Sequence, residues 1–168
     1  ITISKSPEVQ YLLRIGDTCL ILAQRLAEWC GHAPIVEEDI ALTNMALDLV
    51  GQARAVLTRA GQLEGELGGT RHDEDQLAFL RDERDFRNCT LVELPRGDFA
   101  VTMLRNLAIA IFLELLWQRL EGSSDGELAA REPVPNPRRE VTGRVDLRGI
   151  EDRVDHRGDR VPDMHFED

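Results

Sequence analysis

Two apolar helices joined by a short break constrain the fold of this chain more than any other feature. Leu12, Ile15, Cys19, Leu22, Leu26 and Trp29 recur at spacings of 3, 4, 3, 4 and 3, which keeps one apolar seam on one side of a helix. Ser6, Pro7 and Glu8 mark its start with a capping residue type, a proline at the first helical position and an early acid. Cys30-Gly31-His32-Ala33-Pro34 ends it, because glycine accepts the left-handed exit and proline cannot extend the helix. A second helix opens on Glu37, Glu38 and Asp39, whose charge suits the positive end of the helix dipole. From Ile40 to Ala60 it is apolar on nearly every side, which predicts burial in a bundle. A chain that begins this way packs helix on helix, so the predicted class is all-α.

Asn44, Asp48 and Gln52 interrupt the second helix at intervals of four and share a row. In four-helix bundles an inward row of this kind is where di-iron proteins carry carboxylate and histidine ligands. This row holds two amides and one carboxylate. It reads either as a hydrogen-bonded polar patch in the bundle interior or as the degenerate counterpart of a metal site.

Farther along, Gly61 to Gly69 reads as a flexible connection, and it lacks the Gly-Lys-Ser/Thr ending of a phosphate loop. Asp73 and Gln76 form a capping-box pattern for a shorter helix over about residues 74–88. That stretch interleaves Arg81, Arg84 and Arg87 with Asp82, Glu83 and Asp85. The arginines fit solvated ion pairing or, alternatively, bidentate contact with the phosphates of a ligand. Pro95-Arg96-Gly97-Asp98 is a turn ending in a cap, and residues 99–121 form a third long helix. Its apolar set, Val101, Leu104, Leu107, Ile111, Leu115 and Trp117, is broad enough to predict burial on more than one side. Glu114 is the only acid within that set, a metal ligand or an exposed charge. Gly122 to Gly126 closes the helix and Glu127 to Ala130 begins another.

The stretches YLLRIGDTCLILAQRLAEWCGHAP (11–34), EEDIALTNMALDLVGQAR (37–54), LAFLRDERDFRN (77–88) and LVELPRGDFAVTMLR (91–105) resemble, in the same order, the C subunits of bacterial phenylacetyl-CoA epoxidase, also called phenylacetate-CoA oxygenase. The resemblance covers about residues 11–130. It implies a ferritin-like helical bundle, here incomplete, with three long helices plus a shorter one. It also implies a non-catalytic structural subunit of a multicomponent 1,2-phenylacetyl-CoA epoxidase in phenylacetate degradation. In that family a homologous ferritin-like A subunit holds the di-iron centre and adds one oxygen atom of O2 to the ring of phenylacetyl-CoA. The C subunit stabilises it, and further subunits serve assembly and electron delivery. No cofactor is expected in this chain, and none of its residues is expected to be catalytic. Arg81, Arg84, Asp85, Phe86, Arg87, Asn88 and His32 become candidate contacts to substrate or partner, and the turn Trp29 to Pro34 a candidate partner contact.

Beyond residue 130 the resemblance stops. Pro133, Pro135 and Pro137 forbid a regular helix, and residues 131–168 read as an irregular tail after a helical domain of residues 1–130. Lysine occurs once, at Lys5, as in translated GC-rich DNA, and a frameshifted tail is one expectation, a lineage-specific tail the other. Either way the helices lack a fourth partner, so an apolar seam is expected to stay open for a partner or for aggregation.

The net charge of −11 and pI near 4.8 exclude a general nucleic-acid binder. No run of eighteen apolar residues occurs, so no membrane span is expected. The chain begins at Ile1 without methionine, as a trimmed product or fragment would. Cys19, Cys30 and Cys89 form no Cys-x-x-Cys pair and read as reduced thiols of a cytoplasmic protein. A ferritin-like di-iron oxygenase or metal store in its own right is the alternative. Against it, Trp29, Gly69, Arg153 and Pro162 stand three positions before the four histidines, so the chain has no Glu-x-x-His. Asp155, His156, Asp163 and His165 offer at most a weak divalent-cation group in the tail. A generic helical interaction module of unknown pathway would share the same bundle and the same lack of metal.

Overall fold

Helix α1 (Pro7–Ala27) starts where the proline places it, with Glu8 in the first turn. Ser6 stands at the cap position, but its hydroxyl donates to the Glu8 carboxylate and accepts no helix N–H. The computed structural model describes residues 1–120 and residue 122. Every member of the predicted α1 seam, from Leu12 to Trp29, is buried. Gly31, at φ +76°, makes the left-handed exit, and its N–H donates to Asp39 Oδ2 at 2.6 Å across the turn.

Helix α2 (Val36–Glu66) runs antiparallel to α1 and packs along it. It is longer than predicted, because Gly61 and Gly65 of the stretch read as a connection lie inside the helix. A Cβ on Gly61 would sit 1.9 Å from the His72 carbonyl oxygen, so this glycine makes room for the returning chain. The helix ends with Gly68 N–H on Gly65 O (3.1 Å) and Gly69 N–H on Glu64 O (3.0 Å), the paired bonds of a Schellman motif. Nor is α2 buried all round. Leu42, Ala46, Leu49, Ala53, Val56 and Ala60 face the core, whereas Ile40, Leu47 and Val50 are exposed.

The chain then shortens into small pieces. Helix α3 (Glu74–Phe79) has the predicted capping box, Asp73 Oδ1 accepting from Gln76 N (2.7 Å) and Gln76 Oε1 from Asp73 N (3.0 Å). It stops nine residues earlier than the predicted residue 88, since Arg81 turns inward and Asp82 caps a separate 3-10 turn, Glu83–Asp85. Helix α4 (Thr90–Glu93) buries Val92 against α1. Helix α5 (Phe99–Leu120) matches its predicted span.

Trp29 locks α5 to the end of α1. Its indole N–H donates to Thr102 Oγ1 at 3.0 Å, and its ring meets Phe99 edge-on at 5.3 Å between centroids. Ile109 and Leu113 join the same core, and Trp117 Nε1–H donates to Gln52 Oε1 on α2 at 3.2 Å. The expectation that α5 is buried on more than one side is corrected: Val101, Leu104, Leu107, Ile111 and Leu115 are exposed, since no described element covers that face. By length and composition α5 could also cross a membrane, which the uninterrupted-run criterion passed over because Arg105 and Asn106 break the run. Both residues, with Thr102, lie on the face packed against protein. Among the described residues all regular structure is helical, and they fall in one compact unit. The predicted domain boundary at 130/131, the helix begun at Glu127 and the tail's Asp155, His156, Asp163 and His165 lie outside the described residues.

Candidate functional site

The arginine-rich segment after α3 is where sequence and structure converge most closely. Arg81 and Asp17 form an ion pair whose two side chains are both 0% exposed. The guanidinium donates through Nη1 to Asp17 Oδ2 at 2.9 Å, through Nη2 to Asp17 Oδ1, and through Nε to the Leu77 carbonyl. Its Cζ lies 4.3 Å from the Phe86 ring centroid, a cation–π contact. Asp17 Oδ2 also accepts the Arg87 backbone N–H at 2.8 Å, and Thr18 Oγ1 accepts that of Cys89 at 3.1 Å. Two neighbouring side chains of α1 thus fasten residues 81–89 to the bundle.

This arrangement divides the candidate contacts. Each of the three Arg81 guanidinium nitrogens donates inside the protein, its side chain presents no surface to a ligand, and Phe86 is its packing partner. Arg84 and Arg87 carry exposed side chains on the outside of the same loop. Asp85 is half-buried and turns back to accept Asp82 N–H at 3.3 Å, while Asn88 Nδ2 donates to Glu93 Oε1 at 2.9 Å. The loop offers an outer rim of two arginines on a rigid internal support.

His32 is exposed at the α1–α2 turn, its Nδ1 lying 2.9 Å from the Cys30 carbonyl. It stands apart from the arginine loop in the contacts of both. Arg96 stacks over Trp29 at 4.7 Å and donates to the Glu28 carbonyl at 3.0 Å, bracing the turn from the α5 side.

The polar row of α2 is not interior in the described fold, which corrects that expectation. Asn44 and Asp48 are exposed, and only Gln52 is half-buried, as the acceptor for Trp117. Of the row only its last member, Gln52, meets α5, because the core face of α2 is turned toward α1. Glu114 on α5 is exposed too. Among the described residues no group of three or more histidine, cysteine or acidic side chains is placed to hold a metal.

Three buried polar features escaped the sequence reading. Asp17 is the acid on the apolar side of α1, a signal that was available in the helical register. Glu64 and His72 pair at 2.9 Å, and Glu64 Oε1 also accepts the Ser4 N–H at 2.5 Å, so one carboxylate ties the N-terminal strap to the α2–α3 connection. Arg105 donates through Nη1 to Leu94 O (2.8 Å) and Pro95 O (3.2 Å), while its Nε and Nη2 are buried and find no acceptor among the described residues. Burial, with Arg25 close by, lowers its pKa from the usual guanidinium value. The buried carboxylates are thus engaged as structural acceptors, and the arginine loop is the most strongly organised polar feature of the surface.

Comparison with known proteins gives this geometry a setting. The model of the phenylacetic acid catabolic protein family matches residues 2–131. A relative from Escherichia coli (strain K12), the C subunit of 1,2-phenylacetyl-CoA epoxidase, is 54% identical over 120 residues, 71% of this chain. The chain spans 46% of that relative's length.

Proposed function

The chain belongs to the phenylacetic acid catabolic protein family, and from that premise we propose that it is a non-catalytic structural subunit of a phenylacetyl-CoA epoxidase, holding a homologous di-iron catalytic subunit in its working form. The observation that carries this reading is the 54% identity to an epoxidase C subunit over 120 residues, within a family match that takes in the α1–α2 hairpin and the whole arginine loop. The chemistry of the described residues supports it. Asp17 and Glu64, the two buried carboxylates, are held by Arg81 and His72 respectively, so their lone pairs serve folding. The α2 row is two-thirds amide, and amides bind hard cations more weakly than carboxylates do.

In this role Arg84 and Arg87 meet either the catalytic subunit or the phosphates of its acyl-CoA substrate, because planar exposed guanidiniums on a fixed loop suit anionic groups. The outer part of the α1–α2 turn, Cys30 to Pro34 with His32, forms a second contact, while buried Trp29 supports it from within. The complex works in the cytoplasm, where thiols such as Cys30 stay reduced.

The test is reconstitution. The purified chain is assayed for iron and for phenylacetyl-CoA turnover, alone and then with a homologous di-iron subunit, its reductase and the remaining components. The expected result is no bound iron and no turnover alone, with activity in the mixture that depends on adding this chain. Stoichiometric iron in the isolated chain, or full activity of the mixture without it, would overturn the proposal.

A further inference from the structure

The outer face of α2 carries a feature that neither the core nor the arginine loop uses. Val36, Ile40, Thr43, Leu47, Val50 and Arg54 recur at spacings of 4, 3, 4, 3 and 4, and all are exposed, Val36 by 71% and Leu47 by 64%. This is the period of a helix that packs along another helix. The core takes a different side of α2, with Leu42, Ala46, Leu49 and Ala53, and α5 meets it through Met45 and Gln52. At about 3.6 residues per turn the exposed row lies across the helix from Met45 and Gln52, so an element laid over α5 does not reach it.

Three observations say what covers this row. The first is Gly51, exposed beside Leu47 and Val50 in the middle of α2. Glycine weakens a helix interior, and its use there is to let something come close to the backbone. The other described helical glycines have such a neighbour inside the fold: Leu57 crowds Gly16, the His72 carbonyl crowds Gly61, and Arg71 crowds Gly65. A Cβ on Gly51 would meet nothing within 4 Å, so the approach it allows comes from outside the described fold.

The second observation is the spacing, which reads the same in both directions. Turned end for end, the row falls on itself, with Val36 on Arg54, Ile40 on Val50 and Thr43 on Leu47. The third is charge. Glu37 is exposed at one end of the row, and Arg54 stands at the other with a side chain 74% exposed beyond its Nε bond to Glu74. Antiparallel pairing of two such rows sets each acid by the other's arginine, whereas parallel pairing sets like charge by like.

We propose that the outer face of α2 pairs with the same face of a second copy of the chain, antiparallel about a two-fold axis, with Val36 opposite Arg54, Ile40 opposite Val50 and Thr43 opposite Leu47. The paired rows run about 27 Å at the α-helical rise. An isologous contact uses one patch twice, so every apolar side chain and each Glu37–Arg54 pair acts twice. The proposal does not rest on the chain's role in an epoxidase, so reconstitution of turnover and self-association fail separately.

Sedimentation velocity of the full chain from ~1 to ~100 μM reads the association, and a dimer that dominates by ~10 μM is expected. Leu47→Asp weakens the dimer at least ~10-fold, because it sets a charge into the apolar seam from both sides. Gly51→Leu, at a site open in the single chain, also weakens it, while circular dichroism shows the helix content retained. Leu104→Asp, on the exposed side of α5, leaves the association unchanged. Direction is read by mixing differently tagged Thr43→Cys and Leu47→Cys chains in a Cys30→Ser background and oxidising with copper phenanthroline. Disulfides between positions 43 and 47 are expected in excess over those joining like positions. A monomer throughout the concentration range overturns the proposal, including one that uses this face only for a homologous subunit. So does a dimer that Leu104→Asp dissociates and Leu47→Asp does not, or a preference for disulfides between like positions.

Discussion

Replacing Asp17 by alanine tests the central polar element of the fold. The substitution removes both acceptor oxygens of Arg81 and the acceptor of the Arg87 backbone N–H, and leaves behind a guanidinium whose side chain is 0% exposed. Breaking a buried pair by deleting one partner costs about 3–5 kcal/mol, since the remaining charge loses its counterion and regains no water. Against a typical domain stability of about 5–15 kcal/mol, that is a large fraction. Arg81→Met falls at the lower end of the same range, because the Asp17 carboxylate still accepts the Arg87 N–H and methionine fills part of the volume. The double variant Asp17→Ala with Arg81→Met removes both charges together and is expected to be more stable than the sum of the singles by about 2 kcal/mol or more. Urea unfolding followed by far-ultraviolet circular dichroism measures all three, with an unchanged m value as the check on a common unfolded state. Single variants within about 1 kcal/mol of the parent, or a strictly additive double variant, would refute the assignment of this pair as the anchor of residues 81–89.

Other expectations follow from equally local features. Gly61→Ala forces a Cβ onto the His72 carbonyl oxygen and should destabilise by about 1–3 kcal/mol, seen as a lower melting temperature; an unchanged melt would mean the α2–α3 connection can move aside. The Cys19 thiol is pushed up to about 12 by burial, with Cys89 nearby adding to the effect, so iodoacetamide at mildly alkaline pH should modify exposed Cys30 and spare Cys19 until the chain unfolds. The Glu74 carboxyl lies below its ordinary value of 4.5, first through its own backbone N–H at the start of α3 and then through Arg54. A depressed folded-state value means the stabilisation is complete above about pH 4.5 and fades as the pH falls through the folded value, so Glu74→Gln should differ from the parent at neutral pH and converge with it in acid. Parallel stability curves down to strongly acidic pH would contradict that.

The sequence disclosed what depends on neighbours along the chain. The α1 seam, Pro7, the Gly31 exit and the Asp73–Gln76 capping box are settled within a few residues, and each stands where periodicity and cap chemistry place it. The errors share a different cause. Gly61 reads as flexible from its identity alone, yet it lies inside α2 and is a glycine there because the chain at His72 closes onto it. Arg81 sits in a mixed-charge run that looks solvated, and its burial depends on Asp17, 64 residues earlier. The α2 row reads as interior because its helix is apolar on many sides, but which sides are covered is decided by how many helices gather round it. Composition cannot count those neighbours.

The attachment of α5 bears on the order in which the molecule assembles. The α1–α2 hairpin joins adjacent stretches across a short turn, so its closure restricts little chain. The links that hold α5 span far more: 73 residues between Trp29 and Thr102, 61 between Met45 and Asn106, 65 between Gln52 and Trp117. Closing such loops is entropically costly until the hairpin exists as a platform, and each link gains strength only when the others have formed. The last helix is therefore the late arrival in folding and the early departure in partial unfolding. In hydrogen exchange its amides should open at a lower free energy than those of the hairpin, marking α5 as the first segment to let go.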